Sequence, residues 1–181
     1  TKHLVGFAKP SLIYPKIKEN NNLKKLIKDF LSKKIFKFSD YFLVETETVK
    51  KNLKKNLDLK NEKIFILKNS VNSQLLNIKR KKIHNKFERN TIRIIVPSSY
   101  YPHKNLESLI PIALHLIKIQ KNFKFFTTIE NKTFYKRIYI NIKGTSIENT
   151  IINLGPQKIT SLAEHYLNSD IVFLPTLLEC S

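Results

Sequence analysis

Several residue types and sequence patterns are scarce in this chain, and each scarcity excludes a class of protein. No apolar run approaches the roughly 20 residues that a membrane-spanning helix needs, so we do not expect the chain to cross a bilayer. The single cysteine, Cys180, cannot form an internal disulfide, which is typical of a protein in a reducing compartment such as the cytoplasm. The five histidines show no metal-ligand spacing with carboxylates or with Cys180, and we therefore predict no metal site.

Methionine is absent, even at position 1, and the chain stops two residues after Glu179, a carboxylate that looks like part of a longer motif. We therefore expect the sequence to be a fragment, truncated at both ends. Its 181 residues, 41% of them apolar, are enough for one ordinary domain or for parts of two.

Acidic residues and arginine are also scarce. The net charge of +19 comes from 33 Lys and Arg against 14 Asp and Glu, yet only four of the 33 are arginine. Such a charge attracts polyanions, so nucleic acid and anionic membranes must both be considered. The lysines accompany many asparagines and isoleucines, as in AT-rich genes, and arginine is the preferred bidentate reader of phosphate and guanine. We therefore favour compositional bias over nucleic-acid binding, and we retain a peripheral contact with the anionic inner face of a membrane.

The first clear pattern is helical and covers residues 23 to 35. Apolar residues recur at helical spacing and lysines occupy the other faces, which predicts an amphipathic surface helix whose apolar stripe belongs to the core. A basic amphipathic helix is also able to lie on anionic lipid, so that alternative stays open. The apolar residues are Leu23, Leu26, Ile27, Phe30, Leu31 and Ile35.

Alternating strands and helices follow in two sets, which predicts an α/β protein with parallel sheets. In the first set, Val49, Leu53 and Leu57 lie at helical spacing between two strand-like runs. We interpret the polar stretch between the two sets of elements as a linker or connecting segment. The predicted strands are 41–44, 64–67, 92–96, 123–129, 151–154 and 171–174, and the later helices are 105–120, 133–142 and one opening at Ser161. We expect a first domain over 1–68, a linker over 69–90 and a second domain over 91–181.

The most informative segment is the strand at 92–96 with the loop that follows it. Lys104 lies at the far end of this loop, and Asn105 is a good N-cap for the next helix, whose free N–H groups attract anions. The segment would suit a diphosphate, although an ordinary loop with a solvated lysine has the same pattern. Because Pro111 lies inside the helical pattern, the regular helix is expected to start nearer Ser108.

Ligands of open parallel sheets bind outside the carboxyl ends of the strands, so loops that follow strands share one edge. Three loops should therefore converge: 97–104, Gly155 with Pro156, and 175–179. This geometry predicts that Lys104 and Glu179 lie over one cleft, the cation holding a diphosphate and the carboxylate holding a hydroxyl-bearing group. The alternative for Glu179 is a solvated loop carboxylate.

Four short segments, in this order, resemble the family-four retaining glycosyltransferases of the GT-B fold. The segments are Asn69-Ser70-Val71-Asn72, His103-Lys104-Asn105, Leu154-Gly155 and Pro175-Thr176-Leu177-Leu178-Glu179. They look like the family's interdomain Asn-Gly-Val-Asp, its phosphate-binding lysine loop, its Leu-Gly before the nucleotide-side loop, and the Pro-Ser/Thr-x-x-Glu that opens its Glu-x7-Glu motif. The resemblance spans most of the chain.

The resemblance implies two Rossmann-like parallel-sheet domains, the first on the acceptor side and the second on the donor side. It implies transfer of a sugar from a nucleotide-sugar to a glycan or lipid-linked acceptor, with retention, in cell-surface polysaccharide biosynthesis. By resemblance, Lys104 neutralises the leaving nucleoside diphosphate, Glu179 contacts the transferred sugar as the catalytic residue, and Gly155 allows close backbone approach. Asn105 and Thr176 fall at donor-binding positions. No cofactor or metal is implied.

Two departures from the family pattern bear on this interpretation. The family's arginine a few residues before the lysine is missing, since residues 98 to 101 read Ser-Ser-Tyr-Tyr, and Ser70 replaces a glycine. The missing arginine requires another group to assist the phosphates or an altered mode of donor binding. The competing interpretation is a non-catalytic, lysine-rich module that binds nucleic acid or an anionic membrane.

Overall fold

The computed structural model of the chain describes residues 2–14, 23–60, 63–70 and 90–177. The described residues form two compact units, one containing those up to Ser70 and the other those from Asn90 to Leu177. Each unit has its own hydrophobic core. The predicted linker over 69–90 falls mostly on residues 71–89, which lie outside the described residues.

Unit 1 is a three-stranded parallel sheet with helices between its strands. Its elements are β1 (Leu4–Gly6), α1 (Pro10–Ile13), α2 (Leu23–Lys37), β2 (Tyr41–Val44), α3 (Glu47–Leu57) and β3 (Ile64–Ile66), and the strand order is β1-β2-β3. The predicted strand, helix and strand are therefore confirmed, and β2 and β3 pair in parallel with Phe42 opposite Ile64.

Helix α3 shows why the sequence pattern succeeds in this unit. Thr46 caps it by accepting a hydrogen bond from the Val49 N–H at 3.3 Å. Val49, Leu53 and Leu57, spaced by four residues, are all buried against β2 and β3, as their spacing predicted. Asp58 ends the helix in the left-handed conformation, with φ of 54°.

Helix α2 is present where it was predicted, but the assignment of its apolar stripe to the core was wrong. The face on unit 1 carries Asp29 and Ser32, both bound by the Lys9 ammonium, at 2.9 and 2.7 Å. Phe36 on the same face packs 5.2 Å from the ring of Phe7. The six predicted core residues are instead 51% to 70% exposed. The spacing of the apolar residues identifies a stripe along the helix. It does not reveal whether that stripe faces unit 1 or solvent.

Unit 2 is a four-stranded parallel sheet in the order β6-β5-β4-β7. Its strands are β4 (Ile92–Val96), β5 (Phe123–Thr127), β6 (Ile151–Asn153) and β7 (Ile171–Val172). The chain moves outward from β4 to β6 and then returns to the other side of β4. The direction in which the chain adds strands to the sheet therefore reverses between β4 and β7. Such a switch point leaves a crevice outside the carboxyl ends of these two strands.

Helices cover the sheet of unit 2. They are α4 (Leu109–Lys118), α5 (Asn131–Phe134), a π-helical turn (Tyr135–Tyr139), α6 (Ile140–Ile142) and α7 (Ile159–Leu167). Phe134, Ile138 and Ile142 lie four residues apart and are buried against the strands. Helix α7 begins two residues before the predicted start at Ser161, which therefore lies inside the helix.

The helix predicted from Asn105 starts later than expected. Two 3-10 turns, Pro102–Lys104 and Leu106–Ser108, precede α4, and Asn105 lies between them with a left-handed φ of 52°. Its side chain makes no capping hydrogen bond, so the N-cap prediction for Asn105 was wrong. The expected start near Ser108 is confirmed. Pro111 occupies the third position of α4, where an N–H has no partner within the helix.

Candidate functional site

A cavity of about 410 Å³ lies at the carboxyl edge of the sheet in unit 2. Its walls come from loops that follow three adjacent strands, as expected for an open parallel sheet. The lining residues are Pro97, Ser98, Ser99, Tyr100 and Tyr101 after β4, Thr128, Glu130 and Thr133 after β5, and Pro156, Gln157 and Leu162 from the segment after β6.

Asn153, the last residue of β6, joins two of these loops. Its side-chain N–H groups donate to the Ile129 carbonyl and to Asn131 Oδ1, both at 2.9 Å. Its Oδ1 accepts from Thr127 Oγ1 at 2.9 Å and from the Ile129 N–H at 3.1 Å. All four bonding groups of the amide are therefore used. Sequence reasoning missed Asn153, and the only available signal was its place at a strand end.

Glu130 places a carboxylate on the wall of the cavity. Its oxygens accept hydrogen bonds from the N–H groups of Lys132 and Thr133, at 2.9 and 2.8 Å, and from Thr133 Oγ1 at 2.7 Å. The Thr133 hydroxyl first, and then the two N–H groups, lower the pKa of Glu130 below its ordinary value. An ionised carboxylate can accept about four hydrogen bonds, and Glu130 accepts three. It can therefore accept one more, for example from a ligand hydroxyl or amine.

Tyr100 occupies the loop after β4, where the family pattern has its arginine. Its hydroxyl donates a hydrogen bond to Glu107 Oε1, and the Arg137 guanidinium carbon lies 5.4 Å from the ring centroid. Burial first, and then the bond to Glu107, raises the pKa of Tyr100. An arginine remote in sequence is thus placed beside the loop that lacks one.

The segment after β6 contains Gly155, one of the predicted site residues. Its φ is +70°, and an added Cβ would lie 3.2 Å from Asn131 Oδ1, so glycine suits this position for both reasons. The Gln157 amide donates to the carbonyl oxygens of Leu154 at 2.6 Å and Gly155 at 3.3 Å, which holds the segment in place. Gly155 immediately precedes Pro156 on the cavity wall.

The loops after β4 and β7 meet through a backbone hydrogen bond. The Leu177 N–H donates to the His103 carbonyl at 2.8 Å. This bond places half-buried Thr176, a predicted site residue, in the loop that contacts the turn containing half-buried Lys104. Two pairs of the predicted loops therefore approach each other: those after β4 and β6 share the cavity wall, and those after β4 and β7 share this hydrogen bond. Glu179 lies outside the described residues, so its place beside Lys104 stays a prediction.

Unit 1 has a second cavity of about 530 Å³ at the carboxyl ends of β2 and β3. Asn69, from the segment that resembles the family's interdomain motif, lines it and donates to Glu45 Oε2 at 2.9 Å. The remaining lining residues are Thr46, Glu47, Ile66 and Lys68.

Within residues 2–14, 23–60, 63–70 and 90–177, no three His, Cys, Asp or Glu side chains are grouped so that they could hold a metal ion. Over the same ranges, no helix combines the length and the apolar character that crossing a bilayer would require.

Solved structures with a similar fold exist, although no protein-family model and no curated protein match the sequence. A glycosyltransferase from Rickettsia africae ESF-5 aligns with a TM-score of 0.63 and 19% identity over 96% of this chain and 45% of its own. WaaG, a glycosyltransferase involved in lipopolysaccharide biosynthesis, aligns with a TM-score of 0.66 and 11% identity over 96% and 49%. Anabaena Alr3699/HepE, in complex with UDP-glucose, gives 0.62 and 14% over 94% and 46%.

The chain thus spans less than half the length of each of these three proteins. At such low identities the likeness concerns the fold. Combined with the two parallel sheets, it shows that this chain is an α/β protein with two Rossmann-like units, a fold similar to that of these solved glycosyltransferases.

Proposed function

We propose that this chain is part of a glycosyltransferase that moves a sugar from a nucleotide-sugar to an acceptor, with unit 2 binding the donor. The bond between Leu177 and His103 carries this proposal, because it joins the two loops that flank the switch point of the sheet. The complex of Anabaena Alr3699/HepE with UDP-glucose supports a nucleotide-sugar as the ligand class.

The chemistry of the transfer explains why a lysine belongs in this place. Cleavage of the anomeric C–O bond passes through an oxocarbenium-like state while negative charge grows on the leaving diphosphate. Donors that are already in position stabilise this charge. In our proposal the Lys104 ammonium binds the diphosphate, while Asn105, Gly155 and Thr176 contribute to the same donor site.

Arg137 fills the role of the missing arginine in this proposal. Unlike Arg93, which donates from Nε to the Asn168 carbonyl, Arg137 reaches the loop after β4 and stacks beside Tyr100. Its planar guanidinium suits bidentate binding of a phosphate. The nucleoside occupies the 410 Å³ cavity next to it, within reach of Glu130 and Gln157.

Unit 1 takes the acceptor, a glycan or a lipid-linked glycan, and the cavity beside Asn69 is its candidate site. Transfer proceeds with retention of anomeric configuration, and Glu179 contacts the transferred sugar. WaaG, which acts in lipopolysaccharide biosynthesis, supports cell-surface polysaccharide as the product class. The reaction takes place in the cytoplasm and needs no metal or other cofactor.

Calorimetry with UDP, ADP and GDP tests the donor site without requiring turnover. Lys104→Ala should weaken binding of the preferred nucleotide about 10- to 100-fold, the usual effect of losing a hydrogen bond to a charged group. Lys118→Ala is the matched control, because it removes the same charge from an exposed position at the end of α4. It should leave the affinity nearly unchanged.

Equal binding by wild type and Lys104→Ala would overturn the role of Lys104. Failure of all three nucleotides to bind would overturn the donor-site proposal as a whole. Retention on heparin or RNA at physiological salt, with no response to nucleotide-sugars, would instead favour the non-catalytic lysine-rich module.

A further inference from the structure

Helix α2 turns its most apolar face to solvent. We call this surface the α2 stripe and define it as Leu23, Leu26, Ile27, Phe30, Leu31 and Ile35 of the helix together with Phe38, which follows its last residue. Each of these side chains is 51% to 84% exposed, and their spacing of mostly three or four residues makes one continuous surface. A contiguous exposed apolar surface of this kind is a candidate interaction site.

The attachment of α2 to unit 1 explains why the stripe faces outward. Asp29, Ser32 and Phe36 share the opposite face of the helix and make its described contacts with Lys9 and Phe7. Turning the helix to bury the stripe would break the ion pair at 2.9 Å and the ring contact at 5.2 Å. The outward direction is therefore set by specific contacts.

Lysines border the α2 stripe on both sides and also lie within it. Lys24 and Lys28, four residues apart, follow one border, and Lys33 and Lys37 follow the other. Lys34 lies within the stripe, and its ammonium is 4.9 Å from the centroid of the Phe30 ring. Lysine stems cover apolar surface while their ammonium groups stay at the polar boundary, which is the pattern of a helix that lies in a lipid interface.

We propose that the α2 stripe docks unit 1 onto an anionic lipid surface, with its apolar side chains among the headgroups and its bordering lysines beside lipid phosphates. An anionic lipid surface provides an apolar layer for the side chains of the stripe and negatively charged headgroups for the bordering lysines. The net charge of +19 adds attraction at longer range. Unit 1 would thereby be held where a lipid-linked acceptor is available.

A second copy of the chain fits this face poorly. Pairing two α2 stripes would bring the lysine borders of both copies together, and like charges at short distance repel. It would also bury Lys34, and lysine is almost never fully buried unless paired. At a lipid surface the same ammonium is able to reach the headgroups.

Vesicle flotation with the 181-residue chain tests the docking surface. The chain should bind vesicles of phosphatidylglycerol and phosphatidylcholine and should not bind pure phosphatidylcholine. The double substitution Lys34→Glu with Lys37→Glu should lower the affinity by roughly 25-fold or more, because each lysine near an anionic surface contributes about fivefold.

The matched control is Lys51→Glu with Lys54→Glu on α3. It changes the net charge equally and keeps the same spacing on exposed helical positions of the same unit. This control should lower the affinity less than about threefold, because charges away from the lipid are screened. Equal losses in both double variants would mean general charge attraction and would overturn the proposal, as would failure to bind anionic vesicles.

A fluorescent reporter tests the apolar part of the surface. The chain contains no tryptophan, so Phe38→Trp provides a single reporter at an exposed position next to α2. Its emission should shift to shorter wavelength on anionic vesicles, whereas Tyr135→Trp in unit 2 should not shift. An unshifted Phe38→Trp would overturn the proposal. Self-association that Phe30→Ser abolishes would assign the face to a second copy and would also overturn it.

Both experiments are independent of the donor site, because the stripe lies in unit 1 and Lys104 lies in unit 2. Loss of vesicle binding with normal nucleotide binding would therefore count against the docking surface alone. Normal vesicle binding without nucleotide binding would count against the proposed sugar transfer alone.

Discussion

The guanidinium carbon of Arg137 lies 5.4 Å from the centroid of the Tyr100 ring. Arg137 comes from the helical segment after β5, whereas Tyr100 belongs to the loop after β4 and lines the cavity. The contact brings a cation to the edge of the candidate donor site from a position 37 residues further along the chain. The residues of this loop alone, which include no arginine, therefore do not reveal the guanidinium that lies beside it.

Arg137→Met should lower the affinity for a nucleoside diphosphate by about tenfold, because a charge-assisted hydrogen bond is lost while most of the side-chain volume remains. Lys136→Met is the control, since it removes the same charge from the next exposed residue. Isothermal titration calorimetry of both variants measures the difference. A loss of similar size in Lys136→Met would show that only the overall charge matters.

Asn153→Ala should destabilise unit 2 by about 2 to 3 kcal/mol, because it removes four hydrogen bonds and leaves the N–H and carbonyl of Ile129 without their partner. Asn149→Ala, at an exposed position before β6, should change the stability by less than about 0.5 kcal/mol. Urea unfolding followed by circular dichroism measures both. Equal midpoints for the two variants would contradict a structural role for Asn153.

The three glycines of the chain form a graded series. Gly155 has a positive φ and a close neighbour for an added Cβ, Gly144 has a positive φ of 73° with open space, and Gly6 has open space only. Alanine should therefore cost most at Gly155, about 1 to 2 kcal/mol at Gly144, and little at Gly6. Thermal unfolding of the three variants gives the order, and a larger loss at Gly6 than at Gly155 would contradict it.

Stability should fall in acid partly because of Glu130 and Glu148. Hydrogen bonds lower the pKa of both carboxyls, chiefly the Thr133 hydroxyl for Glu130 and the Gly144 N–H for Glu148. A carboxyl with a lowered pKa stabilises the folded state above its unfolded pKa, and this contribution disappears as pH falls through the folded pKa. We expect the loss to begin near the ordinary carboxyl pKa of about 4.3 and to be complete only below the lowered folded pKa of each group.

The double variant Glu130→Gln with Glu148→Gln should therefore show a flatter decline of urea midpoint with falling pH. Thr133→Val should flatten the decline in part, because it removes the first cause of the lowered pKa of Glu130. A double variant with the slope of the wild type would show that these two carboxyls do not set the acid limit.

Helices and strands with strong periodicity were predictable from the sequence, because the apolar residues that set the periodicity are the ones that are buried. The spacing of Val49, Leu53 and Leu57 identified α3, and the apolar run at 92–96 identified β4. The parallel sheets followed from the alternation of such elements. The position of Lys104 in a loop at the carboxyl edge of the sheet was predictable for the same reason.

Features that depend on distant contacts were not predictable in this way. The direction of the α2 stripe is set by Lys9 and Phe7, which the spacing within α2 cannot reveal. Asn105 has good N-cap chemistry, yet the two 3-10 turns around it impose a left-handed backbone. The approach of Arg137 to Tyr100 requires the sheet to bring the helical segment after β5 beside the loop after β4.

The hydrogen bonds of Asn153 fix part of the cavity wall before any ligand is present. They are made within the protein, so the loops after β5 and β6 need not be ordered when a molecule enters. Ordering of flexible side chains otherwise costs about 0.5 to 1.5 kcal/mol for each one immobilised. If the proposed donor binds in this cavity, a prearranged wall would avoid that cost and would favour molecules whose shape already matches it.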